Sequence, residues 1–133
     1  MFEPNVQRER PLSPHLQIYR LTPTMVMSIV HRITGVALYF GTLLFAWWLI
    51  AVSASTKQFE LANGFFSSWL GQLVLLGYTW ALLHHLLGGI RHFIWDTGNG
   101  FGAHERQFLA MATLVGSVAL TLFVWVLGYM LKG

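Results

Sequence analysis

Three long stretches of this chain carry no formal charge: Ile33 to Thr56, Leu61 to Ile90 and Gln107 to Leu131, of 24, 30 and 25 residues. A membrane-spanning helix needs about 20 predominantly apolar residues, so each stretch suffices for one crossing and none for two. The spanning form is helical, because lipid offers the backbone no partners and these runs lack the alternation of barrel strands. Pro23 suits a first helical turn, where its missing N–H would be unpaired anyway. The pattern thus predicts a first helix over about 24–54, a short polar loop from Ser53 to Asn63, and a second helix over about 65–95. The Thr97-Gly98-Asn99-Gly100 cluster ends that helix by turn chemistry. A third helix follows over about 105–130. Residues 1–22, with Pro4, Pro11 and Pro14, predict an irregular or partly helical arm ahead of a transmembrane region over 23–133. The expected fold class is an all-α membrane protein with three transmembrane helices.

Composition narrows the class. Charged residues are 10% of the chain, against roughly 25% in an average soluble domain, and hydrophobic residues are 55%. So few charges cannot cover the surface of a small soluble globule. Disorder is excluded as well, since disordered chains are apolar-poor and charge-rich. The absence of cysteine rules out disulfides and thiolate-held metals within the chain.

Basic residues report orientation rather than a nucleic-acid partner. Arg8, Arg10, Arg20, Arg32, Arg91 and Arg106 fall on one side, and only Lys57 and Lys132 on the other. The positive-inside rule then puts the N-terminus in the cytoplasm and the C-terminus in the periplasm. A signal peptide fits poorly: the first apolar run begins about thirty residues in, is too long for an h-region, and lacks a small-residue cleavage site. Glu3 and Glu9 argue against an acid-poor transit peptide, so the chain reads as a bacterial inner-membrane protein.

Ionisable residues at membrane depth are costly and mark candidate functional sites. In Ser28-Ile29-Val30-His31-Arg32-Ile33-Thr34-Gly35, Ser28 and Arg32 share a helical face, with His31 beside them. A hydroxyl and a guanidinium there suit a carbonyl-bearing headgroup or an acid; alternatively Arg32 is a snorkelling anchor and Ser28 bonds its own backbone. In His84-His85-Leu86-Leu87-Gly88-Gly89-Ile90-Arg91-His92, helical geometry puts His85, Gly88, Gly89 and His92 on one face, and His84 about a quarter-turn away. A histidine one turn before two glycines combines an imidazole ligand with room for a planar group such as haem. The other reading is close helix packing with an interhelical hydrogen bond. His85 lies about 9 Å inside Arg91, whereas His31 sits at its helix end. Their depths do not match, so a bis-histidine haem would draw its second ligand from another polypeptide. The six tryptophans read mostly as lipid-facing or interfacial, His104 and Glu105 as a solvated loop, and Asp96 as a turn cap or part of a proton route. No phosphate loop, dinucleotide fingerprint or nucleophile motif is present.

The arm Arg10-Pro11-Leu12-Ser13-Pro14-His15-Leu16-Gln17-Ile18-Tyr19, the Ser28–Gly35 cluster, and His85–His92 with Asp96 resemble the cytochrome b556 subunits of succinate dehydrogenase. These are membrane anchors of respiratory complex II, and the resemblance covers essentially the whole chain. It implies a heterotetrameric succinate:ubiquinone oxidoreductase of the tricarboxylic acid cycle and respiratory chain. A flavoprotein oxidises succinate, an iron–sulfur subunit relays electrons, and two anchors carry quinone and haem b. This chain would be a non-flavin subunit, not catalytic alone. The resemblance makes His85 the axial ligand of the haem iron, opposite a histidine of the second anchor. It puts His31 and Arg32 beside the haem propionates, and Ser28 and Arg32 in the ubiquinone pocket. Competing classes are an anchor without haem, a self-contained di-haem cytochrome, which lacks ligands, and a small transporter, which lacks midplane ionisable features.

Overall fold

The computed structural model describes residues 10–13 and 15–133. The arm expected over 1–22 therefore falls partly, at residues 1–9 and 14, outside the described residues. Among the described residues the chain is all-helical: α1 (Pro23–Ala54), α2 (Thr56–Ser67), α3 (Trp69–Asp96) and α4 (Ala103–Lys132).

α1 opens with Thr22, whose hydroxyl accepts from the Met25 amide, and with Pro23 in the first turn, where its lack of an N–H costs nothing. Three helices, α1, α3 and α4, are long and apolar enough to cross a membrane. α3 lies between the other two and packs against both. The inside of this bundle is small and polar: Ala81, Ala110, Thr34, His84, Arg91, Thr113, Ser117 and Thr121 are buried, while Phe40, Ile50, Phe93 and Phe123 face outward. Lipid solvates large apolar side chains as well as a protein core does, so helices in a bilayer meet through small and hydrogen-bonding residues instead. The hydroxyls of Thr113, Ser117 and Thr121 each donate to a carbonyl of their own helix, which lets them sit buried without a distant partner.

The segment expected as a polar loop from Ser53 to Asn63 is instead largely the twelve-residue helix α2. Ser55 caps it, its hydroxyl accepting from the Gln58 amide at 3.2 Å. Ser68 ends it and starts α3: its amide and hydroxyl reach the Phe65 carbonyl, while its oxygen accepts from the Gly71 amide at 3.1 Å. The uncharged run from Leu61 to Ile90 therefore contains a sharp joint rather than one helix. Gly71 permits that joint, because a Cβ there would run into the Phe65 carbonyl. At the other end α3 gives way to a turn in which Gly98 and Gly100 take φ of +82° and +78°, a region open to glycine at little cost.

Candidate functional site

Where α1 and α3 cross, two histidines meet. The His31 and His85 rings stack with centroids 4.0 Å apart and planes 6° from parallel. Their depths match, contrary to the sequence-based expectation, because the antiparallel offset of α1 and α3 brings them level. Stacking also changes what they can do together. Imidazole lone pairs lie in the ring plane, so two stacked rings cannot aim nitrogens at one iron held between them. The His31–His85 pair therefore cannot supply both ligands of one iron, and the reason is this geometry rather than a depth mismatch.

Hydrogen bonding fixes the roles of the His85 nitrogens. Thr34 donates its hydroxyl proton to the His31 carbonyl at 2.8 Å. The Thr34 oxygen is then left as an acceptor toward His85 Nδ1 at 3.3 Å, and the His31 carbonyl accepts from the same Nδ1 at 3.2 Å. Both neighbours of Nδ1 accept, so Nδ1 carries the proton and Nε2 keeps its lone pair. An imidazole with one N–H tied to a backbone carbonyl and the other nitrogen bare is the arrangement that metal-ligating histidines adopt. Gly35 admits the ring closely: a Cβ there would come within 3.2 Å of His85 Cε1. The donor set and the glycine clearance both fit a haem at His85.

His84 is different. It is fully buried, and its Nδ1 lies 3.1 Å from Ser117 Oγ on α4. Ser117 spends its proton on the Leu114 carbonyl, so His84 donates and its enclosed Nε2 is left without a partner among the described residues. Trp80 packs on the same ring, with centroids 4.9 Å apart. Enclosure between α3 and α4 leaves no approach for a large planar group.

The expected one-face grouping of His85, Gly88, Gly89 and His92 is met in part. His85, Gly88 and His92 all meet His31, the last edge-on at 5.2 Å and Gly88 through its bare backbone, whereas among the described residues nothing lies within 4 Å of a Cβ at Gly89. Ser28 and Arg32 are both exposed on α1, one turn apart and flanking His31 in sequence. Thr34, which orients His85, was missed in the sequence; its place three residues after His31 was the available signal. Arg91 was read as a cytoplasmic-side loop charge and a flank of the motif. It is buried, with Nε and Nη1 enclosed and unpartnered among the described residues, and its guanidinium lies 5.2 Å from the Trp95 ring centre. Trp95 in turn meets the His92 edge and bonds the Gly100 carbonyl. Tryptophans other than the exposed Trp69 are half-buried, so they serve packing more than the lipid-facing reading suggests.

Comparison with known proteins bears on this arrangement. Residues 6–124 match the family model described as succinate dehydrogenase/fumarate reductase transmembrane subunit. The chain is 46% identical to the succinate dehydrogenase cytochrome b556 subunit of Paracoccus denitrificans over 84% of its own length and 85% of that protein's. It is 37% identical to the corresponding subunit of Rickettsia felis, over 91% and 94%. It is 40% identical to the mitochondrial cytochrome b560 subunit of Sus scrofa, over 86% and 69%. With three membrane-crossing helices and a match over most of its length, the chain belongs to the succinate dehydrogenase/fumarate reductase transmembrane-subunit family.

Proposed function

We propose that this chain is the haem b- and quinone-binding anchor of a bacterial succinate:ubiquinone oxidoreductase, passing electrons from an iron–sulfur subunit to ubiquinone. The observation that carries the reading is the hydrogen bonding of His85: its Nδ1–H is held by the His31 carbonyl and Thr34, which leaves Nε2 free for iron. Haem b, when bound, supplies a one-electron redox centre. His85 would hold it through Nε2, together with a histidine of the second anchor subunit. His31 and Arg32 would meet its propionates.

The quinone headgroup binds at Ser28 and Arg32. Its carbonyl oxygens gain negative charge as two electrons arrive, and two protons complete the quinol. The Ser28 hydroxyl and the Arg32 guanidinium donate hydrogen bonds to those oxygens, which strengthen as the charge develops. The exposure of both side chains supports a site completed by partner subunits. Arg32 offers a planar fork of N–H donors on the side where basic residues gather, which supports a cytoplasmic N-terminus within reach of a soluble iron–sulfur partner. The flavin chemistry of succinate oxidation resides in another subunit.

A reduced-minus-oxidised optical spectrum of the complex purified through a tag on this chain tests the reading. One b-type haem per complex is expected. An intact, quinone-active complex without haem would remove His85 from its assigned role.

A further inference from the structure

The inner stripe of α3 carries one full charge. His84, Gly88 and Arg91, spaced by four and then three residues, are buried on the face that turns into the bundle. Arg91 keeps only 3% of its surface exposed, and its Nε and Nη1 are enclosed without an acceptor among the described residues. Arginine does not deprotonate in proteins, so this guanidinium stays cationic. The acidic side chains among the described residues do not meet those two nitrogens. Glu105 is committed to the Gly102 amide, Asp96 is exposed at the end of α3, and Glu60 lies on α2. What faces the guanidinium instead is the Trp95 ring, its centre 5.2 Å away, whose π electrons attract a cation without neutralising it.

A buried cation that no carboxylate neutralises acts at a distance, because protein and lipid screen it far less than water does. Its reach includes the His31–His85 stack. Gly88, one turn before Arg91, touches the His31 ring. Side chains on a helix lean toward its N-terminus, which turns the Arg91 stem toward that contact. Trp95, under the guanidinium, meets His92 at 5.3 Å, and His92 meets His31 at 5.2 Å. Along α3, Arg91 is six residues from His85, a rise of about 9 Å. We propose that Arg91 is a fixed positive charge that raises the reduction potential of the haem held at His85. The inference rests on the haem reading above and adds to it a residue that tunes the electron's destination. Reduction brings one electron from the iron–sulfur partner, which is oxidised, and neither forms nor breaks a covalent bond. The reduced state therefore differs by one unit of negative charge, and it is the state that Arg91 favours.

The test is a potentiometric titration of the haem absorption band in the purified complex. Unit charges about 10 Å apart, at an effective dielectric constant of about 20, change an equilibrium by roughly tenfold. Arg91→Met removes the charge and the unpartnered N–H groups at similar side-chain length. It should lower the ratio of reduced to oxidised haem at a fixed ambient potential about tenfold, a fall of about 59 mV. Arg91→Gln supplies a second neutral side chain where the methionine variant fails to assemble, and the same fall is expected of it. Arg91→Lys restores the charge in a different shape and should return most of the shift. Added salt should leave the difference in place, since the charge is enclosed. An unchanged potential in a haem-loaded neutral variant overturns the proposal, as does a lysine variant that shifts as far as the neutral ones. An unaltered complex without haem overturns the haem reading and this inference with it, so the two failures are told apart.

Discussion

The His31 backbone carbonyl holds His85 while the His31 ring covers it: the same residue accepts the Nδ1 hydrogen bond at 3.2 Å and stacks at 4.0 Å. Behind His31 stands Gly88, with no side chain to displace it. The position of His85 therefore depends on how closely α3 approaches α1 at Gly88.

That dependence separates two neighbouring glycines. Gly88→Ala puts a methyl group into the His31 ring, and overpacking of this kind costs about 1–3 kcal/mol. Among the described residues a Cβ at Gly89 meets nothing within 4 Å, so Gly89→Ala should leave the α1–α3 crossing undisturbed. Thermal inactivation of the purified complex should shift for Gly88→Ala and not for Gly89→Ala. Equal behaviour of the two variants would mean that His31 does not rest on Gly88.

His85→Ala should abolish or alter the haem spectrum, and His84→Ala should preserve it. His84 donates to Ser117 inside the bundle, whereas His85 keeps a bare Nε2 on a half-buried ring. Haem quantified by pyridine haemochrome on both complexes gives the answer. Loss of haem in the His84 variant alone would reverse the assignment.

Hydropathy made the three crossings legible, because lipid tolerates so few charges that each uncharged run had to be a span. α2 escaped notice because its twelve residues mix Lys57, Gln58, Glu60 and Asn63 with phenylalanines, and serine caps look the same in a helix and in a loop. The level of His31 and His85 was equally hidden. His31 lies eight residues beyond the start of α1, and His85 eleven before the end of α3. That difference is only about 4.5 Å along a helix, and the helix ends that set it were not fixed by composition. The contrast between His84 and His85 was legible only as a quarter-turn; which of the two faces α4 follows from packing.

Ser117→Ala removes the only protein acceptor of the buried His84 Nδ1–H among the described residues. Leaving that donor unsatisfied should destabilise the subunit by about 1 kcal/mol, the scale found for interhelical hydrogen bonds in membranes. Adding His84→Leu to Ser117→Ala should recover part of the loss, since both partners are then apolar. Aggregation midpoints of the four complexes in one detergent form the double-mutant cycle. Strict additivity would show that the 3.1 Å contact contributes nothing to α3–α4 association.

Ser28→Ala and Arg32→Leu should each impair quinone reduction while sparing succinate oxidation by a soluble dye. Both residues are exposed on α1, away from the α3–α4 seam, so neither is needed to hold the bundle together. A hydrogen bond to a group that gains charge is worth about 1.5–3 kcal/mol, or roughly a 10- to 150-fold loss of quinone turnover for Arg32→Leu. Ser28→Ala should cost less, because a neutral hydroxyl is the weaker donor. Arg32→Lys keeps the charge and loses the planar fork, so it should fall between wild type and Arg32→Leu. Parallel assays with ubiquinone and with dye on the same preparations make the comparison. Equal loss of both activities would instead report failed assembly, and full quinone activity in Arg32→Leu would remove this residue from the quinone site.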